Sequence, residues 1–131
     1  MRIAVIDGQG GGVGAALVER LKNKGHTIIA LGTNALATSA MLRAGAGEGA
    51  TGENAICHCA AQCDVITGPI GIVAANALLG EVTPGMAAAV ASSPAPKILV
   101  PSQKCSIQIA GMRKLPLSGY VDEAVALIDA I

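Results

Sequence analysis

Apolar residues along the chain fall into short continuous runs, and between them lie segments with helical periodicity or dense glycine. Arg2 to Ile6 is an apolar run closed by Asp7-Gly8, the pattern of a buried parallel strand. A glycine-rich stretch follows, and then a helix to about Lys24 with an apolar stripe of Val13, Leu17 and Leu21. Arg20, Lys22 and Lys24 suit the negative end of its dipole, and Gly25 suits a C′ position. His26 to Leu31 reads as a second strand and Asn34 to Arg43 as a second helix. Residues 44–52 are loop-like with room for one short strand, and Thr51 suits the cap of a helix over roughly 53–62. Asp64 to Thr67 reads as a third strand, stopped by Gly68-Pro69, with a helix from about 71 to 79. Thr83-Pro84 is an N-cap followed by an N1 proline and opens a helix to about 91. Lys97 to Val100 is a fourth strand. Cys105 to Ala110 alternates like an edge strand, and a last helix covers about 119–130.

Strands alternating with helices predict an α/β fold, a single Rossmann-like three-layer domain over residues 1–131 with a mostly parallel sheet. Composition agrees. At 52% hydrophobic and 14% charged, the chain is no disordered segment. Nine basic residues balance nine acidic ones, and Tyr120 is the only aromatic residue, so the chain lacks the field and stacking platforms of a nucleic-acid binder. The uncharged run Val65 to Gly80 is broken by Gly68-Pro69 and Gly71. It reads as strand, turn and helix rather than a membrane span. With no secretory signal in view and four cysteines outside any disulfide framework, the expected compartment is the cytoplasm. So apolar a chain is expected to complete its burial as a homo-oligomer, by default a two-fold dimer.

The chemistry concentrates at the ends of the strands, where ligands bind in such sheets. Gly8-Gln9-Gly10-Gly11-Gly12-Val13-Gly14 joins the first strand to the first helix. Such a loop brings bare N–H groups to a helix N-terminus, where they attract phosphate or carboxylate. Three templates compete. Gly8 and Gly10 start a dinucleotide pattern, but Val13 stands at its third glycine, whereas the register Gly10, Gly12, Ala15 fits the Gly/Ala variant. Gly8, Gly12 and Gly14 are spaced as in the loop of short-chain dehydrogenases. A P-loop would need Lys and Ser/Thr where Ala15 and Ala16 stand, which argues against NTP hydrolysis. An NAD(P)-linked oxidoreductase lacks its ribose-binding acid, because Gly32-Thr33-Asn34 follows the second strand. The Tyr-x-x-x-Lys pair is missing too, since Ala124 lies four residues after Tyr120. The alternative to a ligand site is a tight strand-to-helix turn, and five glycines in seven residues exceed what a turn needs.

Other strand ends add candidates. Asp7 suits a base, a metal ligand, a ribose partner or a staple for the loop's N–H groups. Thr33 and Asn34 suit a ribose or a helix cap. Gly68, Pro69, Ile70 and Gly71 form a second open loop or a plain turn. Ser102, Gln103 and Lys104 follow the fourth strand, with Lys104 able to neutralise a phosphate. Cys57-His58-Cys59 with Cys63 has soft-metal residue types, but helical spacing points Cys57 and Cys59 apart, and buried cysteine serves as a small hydrophobe. Cys105 is a candidate reactive thiol.

The strings Ile3 to Gly12, Ala30 to Leu42, Gly49 to Ala55 and Gly68 to Ile70-Gly71 together resemble domain-of-unknown-function family 3842, a small bacterial family, over nearly the whole chain. That resemblance implies a Rossmann-like fold and cytoplasmic life, and brings no catalytic residues. The expected function is the binding of a nucleotide, a dinucleotide such as NAD(P), or a phosphorylated metabolite at residues 8–14. The rivals are an NAD(P) oxidoreductase, an assembly subunit and a thiol or metal protein.

Overall fold

The computed structural model describes residues 1–102 and 106–131. Five strands, β1 (Arg2–Asp7), β2 (Thr27–Gly32), β3 (Glu48–Thr51), β4 (Val65–Pro69) and β5 (Lys97–Val100), form one sheet in the order β3-β2-β1-β4-β5. Every pairing is parallel. The strand order reverses between β1 and β4, which makes the gap beyond their carboxyl ends the topological switch point.

Alternation along the strands separates two cores. Ile3, Val5 and Val65 face one side with Leu17, Leu21, Met41, Val121 and Ile128. Ala4, Ile6 and Ile66 face the other with Ile56, Leu78, Met86 and Val90. Helices α1 (Gly12–Leu21), α2 (Ala35–Ala44) and α5 (Leu117–Asp129) cover the first face, and α3 (Glu53–Ala60) and α4 (Pro84–Ser92) cover the second. With the core built from small aliphatic side chains, strands and helices pack closely. Buried Thr67 donates its hydroxyl to the Ile98 carbonyl at 2.7 Å and so loses no hydrogen bond on burial. No helix among the described residues is long and apolar enough to cross a membrane.

Several local expectations are corrected. α1 stops at Leu21, because Lys22 is extended and Asn23 turns left-handed at φ 63°. The positive φ of Gly25 therefore serves the turn into β2 rather than the helix end. Gly52 precedes α3 with no side-chain cap; the Thr51 hydroxyl instead meets that of Thr38 at 2.7 Å. Residues 71–79 do not form the expected helix. A single 3-10 turn over Ile70–Val73 gives way to a compact loop through Val82, with Asn76, Leu78 and Leu79 at positive φ. This loop buries Leu78 and Val82 and delivers Glu81 to three donors, and these tertiary gains override helix propensity. Residues 106–110 carry no strand; their side chains are exposed, and β5 is the sheet edge among the described residues. Cys105 lies outside the described residues.

Candidate functional site

Asp7 ends β1 and is only 4% exposed. Its carboxylate accepts the Gly8 N–H and the Gly14 N–H, both at 2.7 Å, and so staples the two ends of the glycine loop together. Of the roles open to Asp7, this one is visible in the structure. It also takes one donor from the first turn of α1. Helix geometry leaves the N–H groups of Gly12 and Val13 with no intrahelical acceptor, and both residues line the cleft at the loop.

The five glycines divide into two sets. A Cβ on Gly8 would lie 2.6 Å from the Thr33 hydroxyl and 2.8 Å from Leu78. On Gly11, at φ +73°, it would meet the Ala37 backbone at 2.9 Å, and on Gly14 it would press on Met41. Packing and backbone geometry account for those three. Gly10 and Gly12 are exposed, would have no atom within 4 Å of an added Cβ, and show no left-handed φ. Neither the turn nor the core needs glycine at these two positions.

Both glycines line a cleft of about 420 Å³ at the switch point. Asp7, Gly8, Gln9, Gly10, Gly11, Gly12, Val13, Pro69 and Ser102 come together there, joined by Leu78 and Leu117. A second cavity of about 460 Å³ adjoins it. Ser102 lines both, and Pro69 on one is followed by Ile70 on the other. Ile107, Ile109, Met112 and Tyr120 give the second cavity an apolar wall, with Gln108 and Lys114 as its other polar residues among the described ones. The Tyr120 hydroxyl donates to the Arg113 carbonyl at 2.8 Å and accepts the Leu115 N–H at 3.0 Å, which fixes its ring against this segment. Gly68 and Gly71 are buried behind the cleft and do not line it. Gln103 and Lys104 lie outside the described residues.

The β2 end of the site is closed by Glu81. Its Oε1 accepts the Gln9 N–H at 2.8 Å, the Thr33 hydroxyl at 2.7 Å and the Asn34 amide at 2.8 Å. Asn34 also caps α2, its Oδ1 accepting the Ala37 N–H at 2.9 Å. Thr33 and Asn34 are thus engaged within the chain rather than presented to a ribose. Partial burial pushes the Glu81 carboxyl up, but the bonds from Gln9, Thr33 and Asn34 outweigh it, and the net position is below the usual carboxylate range. Sequence reasoning missed Glu81. The signal was present, because between Asp64 and Lys97 it is the only charged residue. A carboxyl with a depressed folded pKa stabilises fully above its unfolded value and loses that contribution as pH falls through the folded one. Acidification below about pH 4.3 is therefore expected to loosen the 74–82 loop. Glu81→Gln should lower the urea midpoint at neutral pH and remove this acid-dependent loss; an unchanged pH profile in that variant would contradict the assignment.

Cys57, Cys59 and Cys63 are free thiols. Burial pushes the Cys63 thiol up, away from reactivity at neutral pH. Among the described residues no group of three His, Cys, Asp or Glu side chains gathers to hold a metal.

No curated protein matches the sequence. A solved structure titled "crystal structure of AibC" is similar over 98% of this chain, with a TM-score of 0.53 and 18% identity. The chain spans 38% of that neighbour, and at such identity the likeness shows the parallel α/β fold alone. A family model described as "Domain of unknown function (DUF3842)" matches residues 2–131, so the chain belongs to that family.

Proposed function

We propose that this protein binds a small phosphorylated ligand, a nucleotide or phosphorylated metabolite, with its anionic group against the N–H groups of Gly10, Gly12 and Val13. The observation that carries this is the pair Gly10 and Gly12. Both face an open cleft, and neither is required by packing or by backbone conformation. A ligand that approaches the backbone closely supplies the missing reason for glycine there. Gly14 contributes no free donor, because Asp7 holds its N–H.

The oxidoreductase alternative gains nothing from Glu81. The carboxylate stands near the end of β2, but one oxygen already takes three donors, including both side chains that would meet a ribose. The free thiols of Cys57, Cys59 and Cys63 support a cytoplasmic setting, and exposed Leu36, Leu127 and Ile131 support a homo-oligomer, which sedimentation tests directly.

The ligand reading is tested by acid release and mass spectrometry of freshly purified protein. The chain has no tryptophan and one tyrosine, so a retained nucleotide would dominate its absorbance at 260 nm. A phosphorus-bearing compound that accompanies the parent protein and is lost from Gly12→Val is the expected result. A compound that accompanies both equally would contradict the site.

A further inference from the structure

Two observations fix the direction in which a ligand leaves the glycine loop. Towards β2 the way is shut, because Glu81 draws Gln9, Thr33 and Asn34 together and Leu78 packs beside Gly8. Towards β4 and β5 the described residues leave the way open. There the cleft meets the second cavity at Ser102 and at the Pro69–Ile70 junction.

The second cavity has a definite chemistry. Ile107, Ile109 and Met112 are 38%, 45% and 44% exposed, so large apolar side chains stand around an unfilled hollow. Ile70 and the ring of Tyr120, whose hydroxyl is already satisfied, complete the apolar wall. Its volume of about 460 Å³ is within the range of small-molecule sites. A charged ribose-phosphate half would gain little against such a wall, whereas an aliphatic group would bury it.

We propose that the ligand runs from the glycine loop across Ser102 into this cavity and carries a compact apolar group there: a phosphate ester of an aliphatic metabolite, not a dinucleotide. This rests on the anion site proposed above and narrows its ligand class. A dinucleotide would have to displace Glu81 from three hydrogen bonds to seat its second half over β2.

The test is calorimetric titration of the whole chain with inorganic phosphate, with linear alkyl phosphates from methyl to hexyl, with the matching alcohols, and with ADP-ribose. Affinity is expected to rise by up to about fourfold for each added methylene that is fully buried. The alkyl phosphates should exceed both the alcohols and ADP-ribose. Met112→Glu and Ile109→Asp, at exposed positions where folding tolerates them, should flatten the slope of affinity against chain length. Phosphates that bind without chain-length dependence, or ADP-ribose as the tightest probe, would overturn this inference while leaving the anion site standing. Alcohols equal to the phosphates would also overturn it, by showing a cavity unconnected to the loop. If no phosphate binds at all, the anion site fails and this inference fails with it. If sedimentation shows that Met112→Glu dissociates a dimer, the cavity is an interface between copies and the proposal is wrong.

Discussion

Gly68→Ala is expected to destabilise the fold more than any other single methyl group added at the glycines near the site. Gly68 belongs to β4, beside the central strand β1, at φ +153°. A Cβ there would overlap the Ile6 carbonyl oxygen. The obstacle is backbone, so no rotamer change relieves it, and the strands must part where Val5 pairs with Thr67. Overpacking of this kind typically costs 1–3 kcal/mol, and the unfavourable backbone angle adds a comparable amount, so about 3–5 kcal/mol is expected. For a chain of this size that lowers Tm by roughly 10–20 °C, a large part of a typical total stability. Gly47→Ala is the control, because nothing lies within 4 Å of its Cβ position; it should shift stability by less than about 0.5 kcal/mol. Calorimetric melting of the pair decides the matter. A Gly68→Ala protein that melts with its parent would contradict the β1–β4 packing.

Gly12→Val should separate binding from folding. Gly12 is the first residue of α1 and is exposed, and its Cβ position is empty, so the fold is expected to change by no more than about 1 kcal/mol. The isopropyl group would project where the ligand's anion approaches. Affinity for the phosphorylated ligand is expected to fall about a hundredfold or more, near 2.7 kcal/mol. Gly8→Val and Gly14→Val should behave differently, losing stability first, since Thr33, Leu78 and Met41 fill the space they would enter. Calorimetry and thermal melting on the same preparations distinguish the two classes. Equal binding by Gly12→Val and its parent would remove the main support for the site.

Which features are legible in the sequence follows from the range of the interactions that make them. Apolar runs mark β1, β2 and β4 because strands buried on both faces need little polar patterning, and the half-buried edge strand β5 carries such a run as well. Thr83-Pro84 and Asn34 mark helix starts because caps are local bonds, and both side chains make them. The glycine loop is visible as a cluster, but its division into packed and open members is not. That division depends on Ala37, Met41 and Leu78, which are remote in sequence. Residues 71–79 read as a helix for the same reason: Leu78 and the following Glu81 and Val82 find their partners on β1, β2, Thr33 and the glycine loop, all remote in sequence. The second cavity is not legible in the sequence because the alternation at 105–110 reads as an edge strand, whereas residues 106–112 are irregular chain and supply much of the cavity wall.

The proposed site depends on the backbone amides of Gly10, Gly12 and Val13, and amide-resolved NMR observes them directly. The parent chain, labelled with nitrogen-15, is titrated with inorganic phosphate and then with hexyl phosphate to millimolar concentration. Saturable shifts of these three amides are expected with both probes, while Gly14, held by Asp7, moves little. Amides of Gly10, Gly12 and Val13 that stay fixed throughout, or shifts confined to surface residues far from the loop, would contradict an anion site at the glycine loop.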